Sequence, residues 1–317
     1  EIVSSFDNST IFHSREWLNH IADQSCDYSV RAVVVYEGDT MLAAVPYVDL
    51  RKAILIKIFA SPLGGTGTNF MGPLFDSEVV SINKLLSFLL IEIRSKGYHH
   101  VEMNSQHISK DVFESVGFQR HTSVTNIIEL PGTEEQAWSN LKSSCRNRVK
   151  KALKSGCTAV FLKDKALPAQ FQDRLEAVYK KQNLKVPFGL ERPSSLCENV
   201  ESFLPVRVMN EDNVVAAGIF PYDDDSIYFW GGAAFPSDYN YYPNEIMHWE
   251  VIKFAVANNI KHYNMCGGTS QFKSKFGGKD VEFATYSISF LPFMDKARSL
   301  YRWLHFKKIK IIGALSK

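Results

Sequence analysis

The first part of the chain alternates apolar runs with turn residues in the spacing of hairpins and helices. Residues 30–48 contain two runs of β-branched and apolar side chains around the turn EGDT, which predicts a hairpin. After the Gly-rich segment 61–75, an apolar stripe predicts a helix at 79–96. Strands are predicted at 99–104 and 125–131, with a short helix between them.

The second half repeats this order. A hairpin is predicted at 206–222, a strand at 226–234 and a helix at 243–259, which begins with a proline. GYHHVEMN at 97–104 also aligns with NIKHYNMC at 259–266. The pattern therefore predicts an α/β chain of the α+β type, built from two copies of one unit.

A basic segment lies between the two copies. Residues 141–157 contain six lysines and arginines and no acidic residue, with Leu141, Val149 and Leu153 on an apolar side, so they predict a cationic helix. Arginine binds phosphate through paired hydrogen bonds, so Arg146 or Arg148 facing a cleft would hold a diphosphate. A solvated, lysine-rich face is the alternative.

Composition limits the remaining classes. The 317 residues are 45% hydrophobic and carry a formal net charge of +2, so a large core is expected and any anion-binding site must be local. Five scattered cysteines fit neither a disulfide framework nor a zinc site, which favours a reducing compartment. The apolar runs fall short of the roughly 20 residues that span a bilayer.

The segment SQFKSKFGGK at 270–279 follows a strand that ends in YNMCGG. Ligands of α/β folds usually lie at strand ends, which makes this segment the first candidate site. In an extended chain Lys273 and Lys275 would point to opposite sides, so one of them would face the site. The glycine pair either lets the backbone approach a ligand or closes a turn.

Other residues are weaker candidates. Asn69 follows the loop GGTG, which matches no nucleotide-binding motif, and Trp230 with the tyrosines of 238–245 would suit sugar rings or bases, although core packing is the commoner use. Carboxylates at Asp238, Glu245 and Glu250 have no spacing that singles out a general base.

Three stretches together resemble the FemAB family of aminoacyl and acyl transferases. They are RNRVKKALKSG at 146–156, YYPNEIMHWEVIKFA at 241–255, and YNMCGG followed by FKSKFGG. The resemblance spans most of the chain. It implies two tandem GNAT-like domains, each a mixed, mostly antiparallel twisted sheet flanked by helices. We place them at 1–140 and 141–300, followed by a basic tail at 301–317.

The resemblance also implies site roles. Lys273 is the family's F-K-x-x-F-G lysine, expected to stabilise the oxyanion of acyl transfer, and Arg146 is expected to bind phosphate. Asn264 stands where the family usually has Asp, which argues against a base there. The candidate substrate-binding residues are Arg146, Arg148, Trp230, Tyr239, Tyr242, Asn244, Asn264, Lys275, Phe276 and Asn69. No metal is expected.

The implied reaction moves an acyl group from acyl-CoA, another thioester or aminoacyl-tRNA. The acceptor is an amine or hydroxyl of a small-molecule, nucleotide-linked or lipid-linked sugar, or of a cell-envelope precursor. The coiled-coil arm of some Fem factors is missing, which weakens the case for tRNA. Alternatives are tRNA-dependent peptidoglycan bridge formation and a non-catalytic RNA- or glycan-binding module.

The C-terminal tail mixes aromatic and basic residues at 300–317. Such a segment either lies on an anionic membrane surface or packs as a helix on the domain. The expected location is the cytoplasm, and contact of the tail with a membrane would place the protein at the inner membrane face as a peripheral protein.

Overall fold

The computed structural model describes residues 6–52, 56–76, 81–292 and 296, so the predicted tail lies outside the described residues. The described chain forms two compact units. Unit 1 comprises described residues of 1–123 and 282–303, and unit 2 comprises 124–281. This division falls within two strands of the fold.

The helices are α1 Arg15–Ala22, α2 Ile82–Ser95, α3 Lys110–Ser115, α4 Glu134–Asn140, α5 Ser143–Lys154, α6 Leu167–Lys181, α7 Glu191–Asn199 and α8 Pro243–Ala257. The strands are β1 Tyr28–Glu37, β2 Thr40–Lys52, β3 Ile56–Ser61, β4 Leu74–Phe75, β5 His100–Asn104, β6 Gln119–Glu129, β7 Cys157–Val160, β8 Phe203–Asn210, β9 Asn213–Pro221, β10 Ser226–Tyr228, β11 Gly231–Ala234, β12 His262–Asn264 and β13 Lys279–Ser289.

Unit 1 is built on the strand order β1-β2-β3-β5-β13, with β4 paired to β2. The pair β3–β5 is parallel and the other pairs are antiparallel. One side of α2 is apolar at helical spacing, and its leucines pack against Val101, Met103 and Tyr286 of the sheet. The predicted hairpin and helix therefore form a single core.

Unit 2 contains the antiparallel sheet β11-β9-β8-β7 and the strand order β6-β12-β10. Helix α8 is buried on almost every side, which explains its lack of a polar face. Helix α5 buries Cys145, Val149 and Ala152. Leu153, which the sequence placed on the apolar side, is 50% exposed in the last turn of the helix.

The predicted strand at 226–234 is wrong as a single element. Its first part is β10, which pairs in parallel with β12, and its second part is β11, which pairs with β9 in the other sheet. The chain changes sheets at Phe229 and Trp230, where Trp230 N donates to Tyr228 O (3.0 Å). A continuous apolar run does not show where a chain leaves one sheet for another.

The predicted mixed α/β architecture, with mostly antiparallel sheets flanked by helices, is confirmed. Within the described residues no helix combines the length and apolar character needed to cross a membrane.

Candidate functional site

The loop after β12 begins with a buried amide. Asn264 is 3% exposed, and its Oδ1 accepts hydrogen bonds from Thr125 Oγ1 (2.6 Å) and Cys266 N (2.9 Å). The next backbone amide, Met265 N, donates to Asn126 O (2.8 Å). These bonds fix the direction in which the chain leaves the strand. Asn264 is therefore held inside unit 2 by bonds to its own neighbours.

Lys273 binds the carbonyls of this loop. Cys266, Gly267 and Gly268 have φ angles of 51°, 39° and 74°, in the left-handed region, and their carbonyl oxygens gather around one point. Lys273 Nζ donates to Gly267 O (2.8 Å), to Gly268 O (3.0 Å) and to Cys266 O. Burial lowers the pKa of Lys273. The ammonium group thus lies at the strand end, with its donors directed at the loop.

The segment around Lys273 is a 3-10 turn, Lys273–Phe276, instead of the extended chain considered above. Lys275 leaves this turn in another direction and reaches Glu245. The glycine pair closes the turn: Gly277 has a φ of 88°, and a Cβ there would lie 2.8 Å from Asn140 O. Phe276 is 1% exposed, so its ring belongs to the core.

Glu245 joins two of the candidate cations. It lies in the first turn of α8 and is 5% exposed, and its Oε1 accepts from Arg148 Nη1 (2.8 Å) and Lys275 Nζ (2.9 Å). The Arg148 guanidinium lies 5.5 Å from the centre of the Tyr242 ring. We call Arg148, Tyr242, Glu245 and Lys275 the cationic corner. The carboxylate of Glu245 bonds to both cations and so fixes their positions relative to each other.

Arg146 lies two positions before Arg148 on α5 and is half-buried. Its Nη1 donates to Ser139 O (3.0 Å) and to Leu141 O, at the junction of α4 and α5. Within the described residues its hydrogen bonds use Nη1, and the guanidinium has further donors. The arginine therefore braces the start of α5.

The aromatic candidates lie in other surroundings. The Trp230 ring lies 5.8 Å from Phe171 and 5.6 Å from Phe188 between ring centres, and Lys181 Nζ lies 4.8 Å from the Tyr239 ring. These partners belong to α6 and the segment after it. The contacts group Trp230 and Tyr239 with α6, whereas Tyr242 contacts the cationic corner.

Two amide candidates remain. Asn244 is half-buried beside Pro243 and Glu245 at the start of α8. Asn69 lies in unit 1, where its backbone oxygen accepts from Asn104 Nδ2 (2.8 Å). Its role there is to hold the Gly-rich loop against the end of β5.

His248 was missed by the sequence reasoning. It is 1% exposed, its Nδ1 lies 2.5 Å from Tyr263 Oη, and its ring contacts Phe272 and Phe276. Burial, together with the charges of Lys273 and Lys275, lowers its pKa to about 3. The signal was present in the sequence, since positions 245 and 248 share one face of a predicted helix.

In the described part of the chain, no group of three or more His, Cys, Asp or Glu side chains is placed to hold a metal ion. All five cysteines are free thiols, and burial raises the pKa of Cys145 and Cys266 to about 12. A thiol with so high a pKa is a poor nucleophile at neutral pH.

The family comparison decides the class of the second half. The model described as an acetyltransferase (GNAT) domain matches residues 139–274. This range is similar to a GNAT acetyltransferase domain and makes up less than half of the chain. The cationic corner and Lys273 all lie within this matched range or at its edge. The predicted class, an acyltransferase of the GNAT type, is confirmed. No curated protein matches the sequence.

Solved structures extend the likeness over most of the chain. FemX superposes with a TM-score of 0.71 at 12% identity, covering 89% of this chain and 93% of that one. L-PGS from Bacillus licheniformis gives 0.55 at 12% identity, with 90% and 89% covered. A tandem GNAT protein from the clavulanic acid biosynthesis pathway gives 0.51 at 7% identity, with 87% and 94% covered. The predicted tandem GNAT-like, FemAB-like fold is confirmed.

Proposed function

We propose that the protein transfers an activated acyl or aminoacyl group to an amine or hydroxyl of a phosphate-bearing acceptor, namely a nucleotide- or lipid-linked sugar or another cell-envelope precursor. The observation that carries this proposal is the cationic corner, which lies within and at the edge of the range that matches the GNAT domain. Its Arg148 side chain is 45% exposed while it is paired to the buried Glu245. The pairing holds the guanidinium in place with donors left for an anion.

Charge in this region favours an anionic group on the substrate. Two cations share one carboxylate at the corner, and further positive charge comes from Lys151 on α5 and from Lys142 just before it. Lys151 Nζ lies 5.8 Å from the Tyr242 ring, on the side of the helix that carries Arg148. A phosphate near Arg148 would form charge-assisted hydrogen bonds, each of which contributes about 1.5–3 kcal/mol.

During the chemical step, negative charge develops on the carbonyl oxygen of the acyl group. The acceptor nitrogen or oxygen attacks the acyl carbonyl carbon, the carbonyl oxygen becomes an oxyanion, and the donor sulfur or oxygen then leaves as the carbonyl re-forms. The acceptor proton is released to a base or to the leaving group. We assign oxyanion stabilisation to Lys273, which would exchange one loop carbonyl for the oxyanion.

The donor separates two versions of this function. A thioester such as acyl-CoA is the first, which the matched domain supports. Aminoacyl-tRNA is the second, and the likeness to the C-terminal domain of a putative lysylphosphatidylglycerol synthetase from Agrobacterium fabrum favours it together with a lipid phosphate acceptor. Incubation with both donor classes and mass-spectrometric detection of products distinguishes them. Ribonuclease treatment abolishes product only if tRNA is the donor.

Lys273→Met is the test of the catalytic role. We expect kcat to fall roughly 10²–10³-fold with little change in KM, because the charge acts on the transition state. The alkaline limb of the wild-type rate should also lie below the pH at which an exposed lysine titrates, since burial lowers the pKa of Lys273. Lys279→Met is the matched control, because Lys279 forms an exposed ion pair with Glu129. A kcat within about threefold of wild type for Lys273→Met would contradict the role.

Arg148→Met tests the phosphate assignment separately. We expect KM for the acceptor to rise about 10–100-fold with kcat less affected, because binding in the ground state is lost. An acceptor analogue that lacks phosphate should show no difference between Arg148→Met and wild type. If the analogue is affected equally, the guanidinium does not bind phosphate.

A further inference from the structure

Three consecutive apolar residues are exposed at the end of β7. Val160, Phe161 and Leu162 are 38%, 45% and 54% exposed. Strand β7 forms the edge of its sheet, because β8 is its neighbour in the strand order β11-β9-β8-β7. Exposed runs of three or more apolar residues are a cost to a soluble fold unless they have a function.

This segment is held rigidly. Arg207 is 5% exposed and donates from Nη1 to Leu162 O (2.9 Å) and from Nη2 to Asp164. Asp164 Oδ1 in turn accepts from Ala166 N (2.9 Å) and Leu167 N (3.1 Å) at the start of α6. The backbone is therefore fixed on both sides of Lys163. The apolar side chains therefore project into solvent from a backbone that is held by hydrogen bonds.

A cavity of about 450 Å³ lies directly beside this segment, which is within the range of small-ligand sites. Its floor is apolar: Leu167 and Phe203 are 0% and 2% exposed. Lys163 and Lys165 stand at its edge, and the Lys163 ammonium lies 4.3 Å from the Phe203 ring. None of these residues belongs to the cationic corner or to the loop bound by Lys273.

The charges favour an anionic ligand. The lining includes the carboxylates of Asp164 and Glu198, but Arg207 pairs with Asp164. Because Arg207 pairs with Asp164, the charge that remains in the lining is that of Lys163 and Lys165 against Glu198. An exposed apolar tip, flanking lysines and a cavity with an apolar floor together suit an amphiphile, whose head group meets the lysines while a chain enters the cavity. A flat protein partner would leave the cavity unused.

We infer that residues 160–165 and the adjoining cavity form a docking site for anionic phospholipid at a membrane surface. Phe161 and Leu162 insert among the acyl chains, and Lys163 and Lys165 meet the anionic head groups. The inference is independent of the proposed function, because the two sites share no residue. It also differs from membrane contact through the C-terminal tail.

Vesicle flotation of the full chain tests the inference. Wild type should float with phosphatidylcholine vesicles that contain phosphatidylglycerol and not with pure phosphatidylcholine. The double variant Phe161→Gln, Leu162→Gln should bind at least about tenfold more weakly, since two apolar side chains no longer leave water. Lys163→Gln with Lys165→Gln should weaken binding about fivefold per lysine and reduce its salt sensitivity.

Phe88→Gln with Ile91→Gln is the matched control. These side chains are 47% and 67% exposed on α2 of unit 1, so the pair removes the same kinds of group from another surface. Binding should remain at the wild-type level. Equal flotation of wild type and the Phe161, Leu162 variant, or loss in the control alone, would overturn the inference. So would the absence of wild-type binding, which is what a protein partner at this surface predicts.

Ser194→Trp tests the cavity itself. Ser194 lines the cavity from α7, and an indole there would fill it while the exposed tip stays intact. Affinity for phosphatidylglycerol vesicles should fall about fivefold or more if a chain enters the cavity. An unchanged affinity would refute the cavity as part of the site. Circular dichroism of each variant confirms that the fold is retained.

Discussion

In each unit, one of two equivalent strands ends with a buried asparagine, and the two asparagines have different roles. In unit 1, β5 ends at Asn104, whose Oδ1 accepts from Met71 N (3.0 Å) and whose Nδ2 donates to Asn69 O. In unit 2, β12 ends at Asn264, whose Oδ1 holds the loop that Lys273 then binds. One amide closes a neutral loop, and the other begins a cationic site.

The difference teaches how a duplicated fold separates structure from chemistry. A neutral buried amide that bonds to backbone groups fixes a loop without any free charge. A half-buried lysine costs more, because burial opposes its charged form. The positive groups of the candidate site are gathered on α5 and the turn after β12, which is why our proposal places the reaction in unit 2.

The largest expected effect is a loss of stability in acid, to which a buried histidine in each unit contributes. Burial lowers the pKa of His248 to about 3 and that of His13 to about 4. The unfolded chain therefore binds protons first, and stability that is full above about pH 6.5 is lost as the pH falls towards the folded-state pKa. At pH 3 the loss is about 4 kcal/mol for His248 and about 3 kcal/mol for His13.

Hydrogen exchange, which reports on each unit separately, measures this loss. His248→Asn should flatten the pH dependence in unit 2, and His13→Asn should do so in unit 1. If either variant flattened both units equally, the assignment of each histidine to the stability of its own unit would fail.

Gly72→Ala should have the next largest effect on stability, because it disturbs the packing of the Gly-rich loop against the end of β5 in unit 1. A Cβ at Gly72 would lie 2.0 Å from Asn104 O, a backbone atom that cannot move without the strand. We expect a loss of about 3 kcal/mol in the free energy of unfolding, measured with urea. Gly64→Ala in the same loop is the control, because nothing lies within 4 Å of its Cβ. A control as unstable as Gly72→Ala would show that the loop is sensitive to any side chain.

Glu245→Gln should give the smallest of the three effects on the free energy of unfolding. It tests whether the cationic corner stabilises unit 2 more than an exposed ion pair would. Removing the carboxylate leaves Arg148 and Lys275 without their common anion, which should cost about 2 kcal/mol, because Glu245 is buried and Arg148 is half-exposed. Glu129→Gln breaks the exposed pair with Lys279 and should change the free energy of unfolding by less than about 0.5 kcal/mol. Equal losses in the two variants, measured by urea unfolding, would mean that the corner is no more than a surface ion pair.

Much of the fold followed from residue patterns. The hairpin of β1 and β2, helix α2 and helix α8 were predicted close to their observed bounds, because apolar periodicity and turn residues act over short stretches of chain. The strand at 226–234 was wrong, because its two parts belong to different sheets. Which sheet a short run joins depends on partners distant in sequence, and no local pattern contains them.

The candidate site was predicted in part. Motifs pointed to Lys273 and Arg146, and the basic helix offered Arg148 as an alternative to Arg146. Neither the carboxylate that joins Arg148 to Lys275 nor the carbonyls that bind Lys273 could be found from spacing. Trp230 and Tyr239 were proposed as substrate-binding residues because aromatic rings stack on sugar rings or bases. In the folded chain they contact α6.

By itself the sequence determined the α/β class, the repeated unit and the basic character of 141–157, since these depend on periodicity and local charge. Tertiary structure alone decided which charges meet. Glu245 and Lys275 lie thirty positions apart, and only packing of α8 against the turn after β12 brings their oxygen and nitrogen atoms within 2.9 Å. The attraction between two charges weakens with distance and strengthens as water is excluded, so the chemistry of the site is fixed by the fold and not by the order of residues.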